Sequence, residues 1–206
     1  MSTETRKELE KELSIELKNI TSSCFDLKAS KNKLGLFIAK EKHGEVYIQH
    51  LSKADGYYAG VELFKCEAMD FCINQSPPYA SQLLNSSFLS KSSLSEPDKK
   101  FGDEIGGIIR IPAPQDVKAT AKKIQQRLVE FYLSDVENCI SGSLSLIDDI
   151  LAAPDNYAFP FLAALFCAQK NGLNSNSDTF QKVLSSKKIF GNRQFDLALA
   201  QKILDQ

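Results

Sequence analysis

The most apolar run in the chain is "NYAFPFLAALFCAQKNG", residues 156–172, and it limits what the chain can fold into. Pro160 fits the first turn of a helix, where its missing N–H costs nothing, and Gly172 fits the position just after the helix ends. A helix over residues 160–170 is too short to cross a bilayer, which needs about 20 apolar residues. Because it would be apolar on nearly every side, we expect a central core helix and not a membrane span or a ligand pocket.

The segments around this run also have helical periodicity. "SLIDDILAAP" predicts a short helix in which Ser145 and Asp148 have the spacing of a capping box. Pro114 fits the start of the longest predicted helix, whose apolar positions are Val117, Ala121, Ile124, Leu128 and Phe131. Two further helical segments, "TFQKVLSSKKIF" and "RQFDLALAQKIL", are expected to pack on the core helix. Their apolar positions are Phe180, Val183, Leu184, Phe195, Leu199 and Ile203.

The first half of the chain combines a helix with strands. "STETRKELEKELSIELKNI" has a narrow apolar stripe at Leu9, Leu13, Leu17 and Ile20. Strands are predicted at 33–40 and 45–51, joined by a tight turn "EKHG", with further strands at 61–66 and 104–112. The pattern therefore predicts an α+β fold: an N-terminal helix, a small mostly antiparallel sheet, a long helix and an all-helical C-terminal part.

Two parts are expected, an α+β domain over residues 1–140 and a helical extension over 141–206 that packs on it as one structural unit. The Ser-rich connection 76–104 is long, yet it carries large apolar side chains that disordered linkers usually lack. One interpretation is that these side chains fold back on the sheet, through a short helix at 79–84. The other is that the connection is mobile and docks on a protein partner, and the candidate binding residues are then Tyr79, Leu83, Leu84, Phe88 and Leu89.

Charge and cysteine content exclude several classes of function. The 25 basic and 26 acidic residues nearly cancel, so no basic face for a nucleic-acid backbone is expected. The N-terminal residues are charged and lack the apolar core of a signal peptide, which favours a cytoplasmic protein. The five cysteines are scattered and predicted to be reduced thiols. We therefore expect no metal, no cofactor and no membrane insertion.

No catalytic residue is assigned. The only histidines are His43 and His50, and His50 with Cys66 or Cys72 is the one local pairing of a base with a nucleophile, without a motif around it. The carboxylates of "IDDI" are adjacent on a helix and point about 100° apart, so they do not converge as an acid–base pair. A hydrolase or transferase with a dispersed site is the alternative from the enzyme class.

The segment "GGIIRIPAPQDVKATAKKIQQRLVEFYLSDVENCISG" is a strand running into a long helix. With this segment, the order of elements up to about residue 140 resembles small bacterial secretion chaperones and adaptors, which hold effectors for type III or type IV secretion machines. The resemblance implies a non-enzymatic adaptor that binds an effector or a secretion component, and it is compatible with a homodimer. An immunity protein that binds and blocks a toxin is the alternative within the binding class.

Overall fold

The computed structural model describes residues 3–95 and 107–204 of the chain. Its helices are α1 (Thr3–Lys18), α2 (Glu67–Asn74), α3 (Val117–Arg127), α4 (Ser134–Ser141), α5 (Ser145–Ala152), α6 (Pro160–Lys170), α7 (Asp178–Ser185) and α8 (Arg193–Leu204). Its strands are β1 (Asp26–Ser30), β2 (Lys33–Ile38), β3 (Glu41–Leu51), β4 (Gly56–Leu63), β5 (Leu89–Ser92) and β6 (Ile109–Arg110). The predicted α+β class is confirmed. No helix in these two ranges is long and apolar enough to span a membrane.

The chain divides into two compact units. The first comprises Met1–Glu62 and Lys91–Ser134, and the second comprises Leu63–Ser90 and Asp135–Gln206. The second unit therefore combines α2 and the segment that follows it with the chain from Asp135 onward.

The strands are ordered β1-β2-β3-β4-β5, with β6 also paired to β4, and β1, β2, β3 and β6 lie entirely in the first unit. The pairs β1–β2, β2–β3 and β4–β6 are antiparallel. Alternate strand residues are buried, among them Leu34, Leu36, Val46 and Ile48. Helices α1 and α3 contact each other, and the predicted apolar positions within them are buried. The last two positions predicted for the long helix, Leu128 and Phe131, lie in a π-helical segment, Leu128–Leu133, where Leu128 is buried and Phe131 is half-exposed. Helix α1 also contacts β1, so α1 packs against both α3 and the sheet.

Several local predictions were wrong. The "EKHG" segment is not a turn but the start of β3, and the turn before it uses Ala39 and Lys40 at positive φ. A strand continuing to Cys66 was expected, but β4 ends at Leu63, and Cys66 is the residue immediately before α2. Of the strand predicted at 104–112, residues 104–106 lie outside the described residues. In the described part, Ile109–Arg110 forms a strand.

The second unit is organised around α6. Every residue of α6 from Pro160 to Ala168 is buried, so the predicted core helix is confirmed, with Gly172 at φ 66° just beyond its end. Helices α2, α5, α7 and α8 all contact α6. The capping box expected at α5 is absent, because Ser145 is already the first helical residue and Leu144 precedes it.

Candidate protein-binding loop

A loop without helix or strand connects α2 to β5 in the second unit; we call residues 75–88 the α2–β5 loop. The predicted helix at 79–84 does not form. The N–H groups of Gln82 and Leu83 are used elsewhere: they donate to the carbonyl of Ala158 and to the Ser81 hydroxyl. These non-helical hydrogen bonds determine the path of the loop.

The N-terminal part of the loop is held in place by Tyr79. Its hydroxyl donates a hydrogen bond of 2.5 Å to Oδ1 of Asp196 on α8. Its ring lies against Phe159 and Phe195, with centroid distances of 6.2 Å in each case. Gly191 permits this packing, because a Cβ at that position would lie 2.1 Å from a carbon of the Tyr79 ring. Tyr79 is therefore an anchor of the loop rather than a free surface residue.

Asp196 is fully buried although it carries a carboxyl group. Its Oδ2 accepts hydrogen bonds from the backbone N–H groups of Gly191 and Asn192, at 3.1 Å and 3.2 Å. Burial raises the pKa of Asp196, while the hydrogen bonds from Tyr79, Asn192 and Gly191 act in the opposite direction. Burial, together with the hydrogen bond to Asp196, also raises the pKa of Tyr79. The hydroxyl therefore remains the donor at neutral pH.

The C-terminal part of the loop is held in place by the backbone. The N–H of Gln82 donates to the carbonyl of Ala158 at 2.8 Å, and the N–H of Phe88 donates to the carbonyl of Leu63 at 2.7 Å. The N–H of Ala158 in turn donates to the carbonyl of Phe88 at 2.9 Å. Phe88 also packs edge-on against Tyr157. The loop is therefore tied to the segment before α6 at two points, with residues 83–87 between them.

The tip between these points exposes apolar surface. Leu84 is fully exposed, and Leu83 is partly exposed. Local hydrogen bonds shape the tip: the Ser81 hydroxyl donates to the carbonyl of Leu83, and the N–H of Ser87 donates to the side chain of Asn85. The exposed Leu84 thus lies on a turn whose shape is set by hydrogen bonds of Ser81 and Asn85.

The five candidate residues predicted from the sequence fall into three environments. Phe88 and Leu89 are fully buried where the loop enters β5, so they belong to the core and not to an exposed binding surface. Tyr79 and Leu83 are both half-buried, and Tyr79 is in addition anchored by its hydrogen bond, whereas Leu84 is fully exposed. Asp196 was missed; the available signal was a single carboxylate between Phe195 and Leu197 in an otherwise apolar helical segment.

The cysteines and the histidine considered in the sequence as a nucleophile and a base lie in the following environments. Cys66, Cys72, Cys139 and Cys167 are buried, and burial raises the pKa of Cys66 to about 12, so this thiol is protonated at neutral pH and a poor nucleophile. His50 packs against Tyr57 at a ring distance of 5.1 Å. No three His, Cys, Asp or Glu side chains in the described ranges are grouped as metal ligands.

An open groove of about 620 Å³ lies in the first unit beside the β1–β2 turn. Its lining includes Glu45 and Tyr47 but no histidine or cysteine. Glu45 accepts hydrogen bonds from Lys33 at 2.9 Å and Lys42 at 2.5 Å, which outweigh the opposing effect of burial and lower its pKa. The groove therefore contains an ionised carboxylate that is paired with two lysines.

Comparison with known proteins found no matching family model, and no similar curated protein or solved structure.

Proposed function

We propose that the chain is a non-enzymatic protein-binding adaptor or chaperone that contacts its partner through Leu83 and Leu84. One observation carries the proposal: Leu84 is fully exposed on a loop tied to buried segments on both sides of it. Isolated exposed leucines are common on protein surfaces. A leucine fixed on an ordered loop differs, because less conformational entropy is lost when a partner binds it.

The chemistry of the loop indicates the kind of partner. Residues 74–90 contain no Asp, Glu, Lys or Arg, and the neighbours of the two leucines are Ser, Asn and Gln. Such a surface fits an uncharged protein surface with an apolar pocket, where amides and hydroxyls supply adaptable hydrogen bonds. A nucleic acid or an anionic membrane would require cations that this segment lacks.

The resemblance to secretion chaperones favours an effector or a secretion component as the partner. An immunity protein, which would bind a toxin and block its active site, belongs to the same binding class. Both hypotheses place an apolar anchor in the interface. They differ in the identity of the bound protein, so recovery of the partner separates them.

The test compares Leu84→Ser with Ile73→Ser, which alters another exposed apolar side chain of the second unit. The partner is identified by affinity purification of the wild-type chain and mass spectrometry, and its affinity for each purified variant is then measured. We expect binding to weaken about tenfold or more for Leu84→Ser. Ile73→Ser should bind within about twofold of wild type, and both variants should unfold within about 1 kcal/mol of it.

Unchanged affinity of Leu84→Ser for the purified partner would overturn the proposal. Phe88 is unsuitable for this comparison because it is fully buried, and truncating a buried phenylalanine costs about 3–5 kcal/mol of stability. If the leucine contact dominates, raising the NaCl concentration from about 0.1 to 0.5 M should change the affinity by less than about threefold.

A further inference from the structure

The position of Leu84 depends on contacts outside its own segment. The α2–β5 loop has no helix or strand of its own, so no regular ladder of backbone hydrogen bonds holds it. In the loop before Gln82, the Gln75 side chain donates back to the carbonyl of Phe71 in α2, and the Tyr79 hydroxyl bonds to a later element, α8. The acceptor of that bond, Asp196, is therefore placed to control the entry into the tip.

Asp196 joins two segments through one carboxylate. Oδ1 accepts from Tyr79 in the loop, and Oδ2 accepts from the N–H groups of Gly191 and Asn192, which precede α8. Among the described residues, no lysine, arginine or histidine forms an ion pair with Asp196. A buried charge without an ion-pair partner costs free energy. The hydrogen bonds from Tyr79, Gly191 and Asn192 offset that cost for the Asp196 carboxylate.

The chain between α7 and α8, residues 186–192, is called the α7–α8 connection. It also shapes the space that the Tyr79 ring occupies. Gly191 donates to Asp196 and leaves the space that the ring fills, since a Cβ there would lie 2.1 Å from the ring. Phe190 next to it stacks on Phe161 of α6 at 4.8 Å, which fixes the connection against the core helix. Hydrogen bond and ring packing thus depend on the same few residues between α7 and α8.

We infer that Asp196 is a positioning residue for the α2–β5 loop, through which the α7–α8 connection controls how Leu83 and Leu84 are presented. The consequence for binding rests on the proposed function, whereas the effect on loop order does not. Losing the Tyr79–Asp196 bond should loosen the loop while α6 keeps its packing, because α6 is held by its own buried residues.

Hydrogen exchange of the free, full-length chain tests this without a partner. Tyr79→Phe removes only the hydroxyl, and Gly191→Ala displaces the ring. Tyr58→Phe is the matched control, because its hydroxyl also donates to a side chain, Gln49, but in the first unit. The reporter is the N–H of Gln82, which the Ala158 carbonyl protects in the wild type. The internal reference is the set of amides in α6.

We expect Tyr79→Phe to raise exchange at Gln82 by about tenfold with α6 exchange unchanged, and Gly191→Ala to raise it further. Tyr58→Phe should change neither. Equal acceleration in the loop and in α6 would mean that the bond supports only global stability, and unchanged exchange at Gln82 would mean that it does not hold the loop; either result overturns the inference.

Binding measurements keep this inference separate from the proposed function. If both hold, Tyr79→Phe also weakens partner binding, although both leucines are intact. Loosening of the loop by Tyr79→Phe, combined with unchanged partner affinity for Leu84→Ser, would overturn the proposed function and leave the positioning role of Asp196 standing.

Discussion

The hydroxyl of Tyr79 lies 2.5 Å from Oδ1 of Asp196, a residue 117 positions later in the chain. The bond connects an uncharged surface loop to a carboxylate that is shielded from solvent. Two backbone N–H groups complete the coordination of that carboxylate. We therefore expect the charge state of Asp196 to be coupled to the order of the loop.

The first prediction concerns the pH dependence of stability. Burial raises the pKa of Asp196, so the folded chain keeps this proton to a higher pH than the unfolded chain does. The stabilising contribution of this titration is complete below the unfolded pKa, about 3.9, and is lost as pH rises through the folded pKa. We expect the free energy of unfolding of the wild type, relative to Asp196→Asn, to fall as pH rises from about 4.

Urea unfolding at a series of pH values measures this difference. Tyr79→Phe provides the matched comparison: it removes a bond that lowers the pKa of Asp196, so the fall should extend to higher pH. A difference that grows with rising pH would show that the folded pKa lies below the unfolded one.

The second prediction is that one of the five thiols reacts quickly in the native protein. Cys24 is partly exposed, whereas the other four cysteines are buried. Burial also raises the pKa of Cys66 and of Cys167 to about 12, and only the thiolate is nucleophilic. A thiol reagent at pH 7.5 should label Cys24 alone, and Cys24→Ser should abolish the fast phase. All five should react in denaturant; fewer would indicate a disulfide or a bound metal.

The third prediction tests the core helix. Leu165 is fully buried on α6, so Leu165→Ala should lower the free energy of unfolding by about 2–5 kcal/mol by leaving a cavity. Leu165→Asp should prevent folding because it buries an unpaired charge. Gln169→Ala changes an exposed residue of the same helix and should stay within about 0.5 kcal/mol of wild type. Equal unfolding curves for Leu165→Ala and Gln169→Ala would contradict the assignment of α6 to the core.

The fourth prediction contrasts two buried tyrosines. The hydroxyl of Tyr157 is buried without a hydrogen-bond partner among the described residues, whereas that of Tyr132 donates to the carbonyl of Ala59. Tyr157→Phe should raise the free energy of unfolding by about 1 kcal/mol, because a buried group that lacks a partner is removed. Tyr132→Phe should lower it by about the same amount. The comparison fails if Tyr157→Phe destabilises the chain as much as Tyr132→Phe does.

The helices with a clear apolar period could be predicted from the sequence, and the irregular elements could not. Pro160 and an apolar run made α6 recognisable, and α1 and α3 carry continuous stripes. Helix α2 was missed because its N-cap residue is Cys66, which is not one of the residue types that usually cap a helix and forms no side-chain capping hydrogen bond. The turn before β3 was misplaced because Gly44, the expected turn residue, is buried in the strand.

The candidate site was recovered only in part. Large apolar residues in a long connection stand out in the sequence, but the pattern cannot tell Leu84, which is exposed, from Phe88, which enters the sheet and is buried. Asp196 could not be assigned to the site, because its partner Tyr79 is far away in the chain and only the fold brings the two together. Such long-range pairs have no local signature.

The absence of charge in the α2–β5 loop also determines which proteases can cut it. Trypsin cleaves after lysine and arginine, and no such residue lies between Lys65 and Lys91. The loop is therefore resistant to trypsin however far it opens. A protease of chymotrypsin specificity can cleave after Leu83 and Leu84 at the tip of the loop. Because cleavage requires the loop to open, the rate of cleavage at these residues measures how often it opens.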